Sequence, residues 1–389
     1  MLLLSAVWCA ALQAQPPRPR SFPAPAPPSE PASIARAPLA LFPTRTLWRL
    51  GLDAALTAEP GFSGDRAYFA IEGDRLAAYD LEAGALLWLV STRTAAEPIA
   101  GGGLLFIVEP DALTALHKAD GSVAWRLPFA EASGTRLVWD HGWLIAADAA
   151  GAIHAYRAAD GELIWRREVG ARVNARPTLA HDRLYVPLTD GRLLALRVET
   201  GAPVWERRLG GAPHEVLALD DRLYVGSVDN YLYCLTAEDG GTDWRWRTGG
   251  DVIGLPVADE KRVYFVSLDN VLRGLDRNNG AQRWKRALPL RPSGGPIIVG
   301  RALLVSGLAP DVRAYLMTDG TETGNVAPGG ELAAPPHVVH GDTIPTLVIV
   351  TRDIAKGAIV TAITRSIEPA IVPLGPLPNP TPIPPVAFP

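Results

Sequence analysis

The residues of this sequence that could do chemistry are acids and histidines placed at predicted turns. Six aspartates stand in the short connections between apolar runs, where carboxylates could converge on a metal or cofactor: Asp74, Asp111, Asp190, Asp229, Asp269 and Asp311. Aspartate also favours turns because its carboxylate bonds the local backbone, so turn formation alone accounts for this recurrence. His337 and His340 are separated by two valines, and two histidines without a third ligand make an incomplete zinc site. We therefore assign no metal-binding residue.

The cysteines and short motifs point away from covalent or cofactor chemistry. The chain contains two cysteines, Cys9 and Cys234. Cys9 falls in a predicted signal peptide, so Cys234, within an apolar run, would remain alone as a buried thiol. No Gly-x-Ser-x-Gly elbow and no phosphate-binding glycine loop stands out in the sequence. We therefore assign no catalytic and no cofactor-binding residue, and we expect no cofactor.

Tryptophans recur about every forty residues and organise the chain. Most stand four residues after a glycine, as in Gly161-Glu-Leu-Ile-Trp165. The tryptophans in this register are Trp48, Trp88, Trp125, Trp165, Trp205, Trp244 and Trp284. The register continues at Gly320, but Gly324 stands where tryptophan is expected, and Thr44 replaces the glycine before Trp48. Such a fixed period indicates a repeat architecture, in which we expect the tryptophans to pack between repeats.

Each repeat contains four short runs typical of β-strands. In the central copy, residues 183–188 and 193–198 flank the hairpin signal Thr189-Asp-Gly-Arg. A second turn leads into residues 204–207, and a fourth run starts near Pro177. Four antiparallel strands per forty residues are typical of a propeller blade. One such sheet cannot bury both of its faces, so neighbouring blades must stack on it.

The number of repeats predicts an all-β, eight-bladed propeller over residues 44–364. Seven units end at the tryptophan register or at Gly324, and an eighth begins at His337. The eighth unit lacks its last strand, because Glu368 and Pro369 open a proline-rich segment. The run Thr44-Arg-Thr-Leu-Trp-Arg-Leu can supply the missing strand. We expect the N-terminal strand to pair into the last blade, which would leave no open edge in the ring.

Both ends of the chain have the composition of non-globular segments. Residues 1–14 combine a short apolar stretch with a Leu-Gln-Ala cleavage pattern, which predicts a signal peptide. Trp8 before Cys9 departs from the lipoprotein pattern, so we expect no lipid anchor. Residues 15–43 are rich in proline and alanine and are predicted to be a linker. Residues 365–389 form a second proline-rich segment, which could be a solvated tail or a ligand for an aromatic groove.

The composition suits one large folded domain in an exported protein. The chain has 389 residues, of which 48% are hydrophobic and 20% are charged, and its net charge is -4. Because there is no basic surplus, we expect no nucleic-acid partner. After its first residues the sequence has no apolar run long enough for a transmembrane helix. We expect a monomer located in the periplasm or at the outer membrane.

The repeat resembles the pyrroloquinoline-quinone-type propeller repeat. Arg157-Ala-Ala-Asp-Gly-Glu-Leu-Ile-Trp and Arg197-Val-Glu-Thr-Gly-Ala-Pro-Val-Trp are similar to the tryptophan-docking motif of that family. The repeat serves both enzymes and non-catalytic scaffolds. The size, blade number and export signal most resemble the propeller subunits of the bacterial outer-membrane β-barrel assembly machinery. That resemblance implies a non-catalytic scaffold that binds protein partners in the cell envelope.

The alternative is a quinone-dependent oxidoreductase. In the quinoprotein dehydrogenases, two adjacent cysteines form a disulfide ring over the cofactor, and inserted segments enlarge the fold. This sequence has neither feature, and the Ca²⁺ ligands and catalytic aspartate of those enzymes match no motif here. The resemblance therefore favours the scaffold.

The loops between blades are the expected partner-binding surface, because loops on a rigid frame are free to vary. These connections differ in sequence although the flanking strands repeat, and arginine is frequent at protein interfaces. The residues that we expect to contact a partner are Arg172, Asn174, Arg176, His214, Glu215, Asp251 and Arg291.

Overall fold

The chain forms a ring of small antiparallel sheets. A computed structural model describes residues 41–130, 134–308, 311–339, 344–353, 355 and 357–366. These residues form thirty-two strands and no helix, and the strands group into eight four-stranded sheets. The prediction of an all-β, eight-bladed propeller is confirmed. The predicted signal peptide, His340, most of the linker and most of the C-terminal segment lie outside the described residues.

Within each blade we name the strands A to D in chain order. β1 (Thr44–Gly51) comes first in the chain but belongs to the last blade. The next sixteen strands form blades 1 to 4: β2 (Gly61–Ser63), β3 (Arg66–Ile71), β4 (Arg75–Asp80), β5 (Ala85–Ser91); β6 (Ile99–Gly101), β7 (Leu104–Val108), β8 (Ala112–His117), β9 (Val123–Pro128); β10 (Arg136–Asp140), β11 (Trp143–Ala147), β12 (Ala152–Arg157), β13 (Leu163–Glu168); β14 (Thr178–Ala180), β15 (Arg183–Pro187), β16 (Arg192–Arg197) and β17 (Pro203–Arg208).

Blades 5 to 7 repeat the same order, and blade 8 takes its D strand from the N-terminus. The remaining strands are β18 (Pro213–Leu219), β19 (Arg222–Ser227), β20 (Tyr231–Thr236), β21 (Thr242–Arg247); β22 (Val252–Ala258), β23 (Arg262–Ser267), β24 (Val271–Asp276), β25 (Gln282–Ala287); β26 (Ile297–Val299), β27 (Ala302–Val305), β28 (Val312–Leu316), β29 (Glu322–Val326); β30 (His337–Val339), β31 (Thr346–Asp353) and β32 (Gly357–Arg365).

The burial of each strand follows its place in the blade. The B and C strands, such as β15 and β16, are buried along almost their whole length, whereas the D strands are largely exposed. The A strands of neighbouring blades contact one another, as β14 contacts β18. The A strands are therefore innermost and the D strands outermost. The apolar clusters lie between successive blades, so each sheet buries its faces against its neighbours.

In seven of the eight blades, one tryptophan joins strand D to the next blade. Each indole Nε1 donates a hydrogen bond of 2.6 to 3.1 Å to a carbonyl of the next blade. Trp165, for example, donates to the carbonyl of Val198, and its ring lies on Gly201. A Cβ at Gly201 would lie 2.6 Å from Cε3 of Trp165, which explains why the register needs glycine. Each tryptophan thus contributes both apolar contact and a satisfied N–H.

The ring closes by pairing its two ends. β1 pairs antiparallel with β32, from Thr44 opposite Arg365 to Gly51 opposite Ile359. Trp48 then donates to the carbonyl of Leu81 in blade 1, which continues the series. Closure by the N-terminal strand, which the sequence predicts, is therefore present in the structure.

Phe42 packs where the tryptophan series is interrupted. Gly324 in β29 takes the tryptophan position of blade 7, opposite Ala314. A Cβ at Gly324 would lie 2.8 Å from Cδ1 of Phe42. Leu41, which is 1% exposed, joins the apolar cluster of blades 7 and 8. Two residues that the sequence assigns to the linker therefore fill the one interblade contact that has no tryptophan.

The tight fit of tryptophan on glycine predicts a specific cost for added side-chain volume. Gly201→Ala should lower the free energy of unfolding by about 2–4 kcal/mol, since its φ is positive and the methyl group would collide with Trp165. Gly64→Ala is the control, because Gly64 has φ +59 and no atom near the added methyl group. That change should cost only about 1 kcal/mol. Equal losses in denaturant unfolding would mean that contact with Trp165 adds nothing.

The pairing of β1 with β32 predicts that the ring depends on residues 41–50. Deletion through Leu50 removes a strand, Trp48 and Phe42, and loss of one large buried aromatic side chain alone costs about 3–5 kcal/mol. Deletion through Ala40 keeps all of these contacts and should leave stability nearly unchanged. The measurement is the denaturant midpoint of both truncated proteins beside the full chain. Equal midpoints for the two truncations would contradict closure by β1.

Candidate partner-binding face

The loops from strand D of one blade to strand A of the next lie beside the B–C turns. The N–H of Asn174 donates to the carbonyl of Pro187 at 2.8 Å, and Thr189 N–H donates to the carbonyl of Arg172. The carbonyls of Asp251 and Arg291 accept bonds of 2.8 and 3.1 Å from the N–H groups of Leu268 and Leu308, which follow the B strands of the same blades. These residues therefore share one surface, which we call the loop face: the D–A loops together with the B–C turns.

Charged residues recur at one position around the inner rim of the loop face. Next to the A–B turn, strand A pairs with strand B in the same register in every blade, as in Leu179 opposite Leu184. In blades 5 and 6 a bulge in strand A precedes this pair. The residue three positions before this pair is charged in blades 1 to 5 and uncharged in blades 6 to 8. In order, these residues are Glu59, Glu97, Arg136, Arg176, Glu215, Leu255, Gly295 and Pro335.

The central ion pair joins Arg176 of blade 4 to Glu97 of blade 2. The guanidinium contacts the carboxylate across the intervening blade, which requires both side chains to point toward the channel. Burial raises the pKa of Glu97, and Arg176 offsets part of this rise; Glu59 and Arg136 also act on Glu97. A cavity of about 240 Å³ lies beside these four residues. The Arg176 side chain is thus part of a charge network within the ring.

Asn174 fixes its loop to the next blade. Its Nδ2 donates to the carbonyl of Pro213 at 2.8 Å, and its own carbonyl accepts a long bond of 3.4 Å from Arg136. Pro213 begins β18, which places His214 and Glu215 beside this loop. His214 Nε2 and Glu215 Oε2 are buried and make no hydrogen bond to the described protein atoms. Asn174 and Arg176 therefore hold the loop in place. His214 Nε2 and Glu215 Oε2 remain able to form hydrogen bonds.

The remaining predicted residues are spread along the loop face. Arg172 and Arg291 are exposed, and Asp251 is half-buried. The structure brings Arg172, Asn174 and Arg176 together with the start of β18. Arg291 lies on the loop to blade 7, three blades further round. Glu97 and Arg136 are missing from the sequence-based set. The sequence feature that could have identified them is the common register of the A strands, in which Glu97-Pro98 and Arg176-Pro177 occupy equivalent positions.

Several aspartates of the B–C turns are engaged within their own blades. Burial alone would raise the pKa of Asp269, but hydrogen bonds from Arg273, Ser267 and the N–H of Gly249 hold that pKa down at about 2. Asp190 and Asp311 likewise pair with arginines. Among the described residues, no group of three or more histidines, cysteines and acids could hold a metal ion.

Two further groups are buried for structural reasons. Asp148, also at a B–C turn, accepts three backbone N–H bonds and contacts His154 at 3.2 Å. Cys234 is buried in β20, and desolvation raises its thiol pKa to about 12. A thiol of this kind is neutral at ordinary pH and is a poor nucleophile. Neither group adds a reactive site to the loop face.

The repeat of this chain matches a known protein family. A family model described as "Outer membrane protein assembly factor BamB" matches residues 40–133, 111–219 and 199–344. The chain belongs to the BamB family. The match covers most of the propeller and confirms the resemblance to the propeller subunits of outer-membrane assembly. At family level, BamB membership supports a protein-interaction role in outer-membrane assembly.

Several solved structures have the same propeller fold as this BamB-family chain. The crystal structure of BamB from Moraxella catarrhalis matches at 20% identity with a TM-score of 0.65, covering 84% of this chain and 98% of that one. Saccharomyces cerevisiae Sqt1 matches at 11% identity and a TM-score of 0.69, covering 81% and 98%. Quinohemoprotein alcohol dehydrogenase from Comamonas testosteroni matches at 12% identity and a TM-score of 0.65, covering 82% and 76%. These identities show similarity of fold alone.

No curated protein sequence matches this BamB-family chain. In the described part of the chain, no helix has the length and apolar character needed to cross a membrane.

The environment of Glu97 predicts how stability depends on pH. Because the folded state raises the pKa of Glu97, this residue stabilises the fold below the ordinary carboxyl range and loses that contribution as the pH rises through the raised pKa. Glu97→Gln removes the titration. The variant should therefore gain stability relative to the native chain as the pH rises from the ordinary carboxyl range through the raised pKa of Glu97.

Thermal unfolding across this pH range measures the difference. Glu331→Gln is the control, because its side chain is 70% exposed and the change should produce little pH-dependent difference. A difference between Glu97→Gln and the native chain that stays constant with pH would contradict the inferred burial of this carboxyl group.

Proposed function

We propose that this chain is an exported, non-catalytic scaffold that binds a protein partner in outer-membrane β-barrel assembly. The loop face, on one side of a closed and rigid ring, carries this proposal. Membership of the BamB family gives the biological setting. Export rests on the predicted signal peptide at residues 1–14, and a periplasmic location follows from it. We expect the protein to act as a monomer.

The structure divides the proposed binding residues into two groups. Arg172 and Arg291 are exposed, and their side chains are free to meet an acidic or carbonyl-rich partner surface. Asn174 and Arg176 already bond within the ring, so they position the loop rather than contact the partner. Asp251, His214 and Glu215 lie between these regions in the order of the blades. We assign direct contact to the exposed arginines first.

The charge asymmetry of the inner rim suggests how a partner is oriented. Blades 1 to 5 place charged residues at the rim, whereas blades 6 to 8 place Leu255, Gly295 and Pro335 there. Leu255 is also 43% exposed. A partner that covers both parts would meet polar contacts on one side and apolar contacts on the other, which fixes one rotation of the ring. Electrostatic complementarity of this kind contributes mainly to specificity and association rate.

Charge reversal of an exposed loop arginine tests the proposal. The tagged protein is purified from the envelope of its own organism, and the proteins that accompany it are identified by mass spectrometry. Subunits of the β-barrel assembly complex should be captured. Arg172→Glu should reduce capture at least about fivefold, which corresponds to about 1 kcal/mol of binding free energy. Its melting temperature should change little, since surface substitutions usually cost under about 0.5 kcal/mol.

The control reverses an equally exposed arginine on the other side of the ring. Arg301 lies in the A–B turn of blade 7, away from the loop face. Arg301→Glu should leave capture unchanged. Equal capture by both variants would place the partner outside the region of Arg172. Sustained dye reduction with pyrroloquinoline quinone, Ca²⁺ and alcohols, above that of heat-inactivated protein, would instead favour an oxidoreductase.

A further inference from the structure

The D strand of blade 1 differs from the other outer strands. β5 has the sequence Ala-Leu-Leu-Trp-Leu-Val-Ser. Among the eight D strands that the structure describes, it alone carries no charged side chain. Leu86, Leu87 and Leu89 are 52%, 41% and 50% exposed. β5 is therefore an apolar strand on the outer surface of the ring.

The position after the tryptophan shows the contrast most clearly. It is charged in six of the eight blades and apolar only in blade 1. From blade 8 through blade 7, its residues are Arg49, Leu89, Arg126, Arg166, Glu206, Arg245, Lys285 and Asn325. Charged side chains on an edge strand prevent other strands from adding to it. β5 lacks this protection at the place where its neighbours have it.

β5 also has an unpaired backbone edge. It is the last strand of its sheet and pairs only with β4. The outward N–H and C=O groups of such a strand can accept one more strand. An uncharged, apolar edge of seven residues selects an uncharged segment in extended conformation. The charged edges of β13, β17, β21 and β25 do not offer this combination.

One segment of this chain has a matching sequence. Residues 367–389 lie outside the described part and contain a single charged residue, Glu368. Between 376 and 384 every second residue is proline, and the residues between them are Leu377, Asn379, Thr381 and Ile383. In a strand, alternate residues direct their N–H groups to the same side. As a strand, this segment would therefore turn all four donors to one side and all prolines to the other, which suits only an edge strand.

The end of β32 lies close enough for this segment to reach β5. Ser366 N–H donates to the carbonyl of Pro43 at 2.7 Å, and Arg365 pairs with Thr44 at the start of β1. Trp48, about 13 Å along that strand at 3.3 Å per residue, packs on Gly84, which directly precedes β5. The ten residues from 367 to 376 can span about 33 Å. The segment from 367 to 376 can therefore span more than the distance along β1 from the end of β32 to the start of β5.

We propose that residues 376–384 add to the outer edge of β5 as a fifth strand of blade 1. The donors of Leu377, Asn379, Thr381 and Ile383 face β5, and the prolines face solvent. The added strand covers the exposed leucines. Because its own outer side has prolines instead of N–H groups, it also ends the sheet and prevents further strands from adding.

Residue-resolved amide hydrogen exchange of β5 tests this proposal in the full chain. The outward amides of β5 should exchange at least about tenfold more slowly than in a chain that ends at Ser366. The outward amides of β21 serve as an internal control and should exchange equally in both proteins. All samples are kept at a concentration at which sedimentation shows monomers.

Two matched double variants test whether protection of β5 needs the inward N–H donors of the segment or only the presence of the segment. Leu377→Pro with Thr381→Pro removes two donors toward β5 and should raise exchange to the truncated level. Pro378→Ala with Pro380→Ala changes as many residues but leaves the inward donors intact, and should retain protection. All four positions lie outside the described residues that form the ring, so the substitutions leave the packing of the described blades unchanged.

Four results would overturn the proposal. Equal exchange of β5 in the full and truncated chains would show that the segment does not cover the edge. Protection that survives Leu377→Pro with Thr381→Pro would show that the donors of these residues do not bond to β5. Protection that is lost in the alanine variant would show that the prolines themselves, rather than the inward donors, are required. Protection that depends on protein concentration would assign the edge to a second copy of this chain.

Discussion

The contact of one indole with one glycine supports the whole ring. Each blade is a small sheet with two apolar faces, so it is stable only when both neighbours cover it. The tryptophan on strand D reaches across the gap, lies on a glycine and donates its N–H to a carbonyl. The same contact recurs seven times with bonds of similar length. Because the contact fixes both distance and rotation between blades, its repetition sets the curvature that brings the eighth blade back to the first.

The interruption of that series shows how the ring tolerates one irregular junction. Gly324 and Thr44 replace the tryptophan and the glycine between blades 7 and 8. Phe42 lies against Gly324, and Leu41 is buried between the same blades. The segment that precedes β1 thus fills the gap at the junction where the chain must also close. Closure therefore uses strand pairing and aromatic packing together, both supplied by the N-terminus.

The sequence predicts the frame better than it predicts the site, for a physical reason. The blade number, the D-strand tryptophans and the use of residues 44–50 follow from a period that packing repeats in every blade. Phe42 was not foreseen, because it occurs once and lies in a proline-rich segment. The pair of Glu97 and Arg176 is separated by 79 residues and forms only because the ring curves. Alignment of the A strands recovers their shared register, but the contact itself depends on the closed geometry.

The different roles of the inner rim and of the exposed loops follow from how strongly packing constrains each part of a blade. Interior strands must fill a fixed space, so their residues repeat from blade to blade. The inner rim has room for charge, and blades 1 to 4 use it for a network that holds Arg176 in place. Because the Arg176 side chain is already held in one position, binding a partner would cost it little conformational entropy. Few of its N–H groups remain free to bond to that partner. We therefore propose that recognition by the loop face falls to residues such as Arg172 and Arg291, whose backbones are bonded to the ring while their side chains remain exposed.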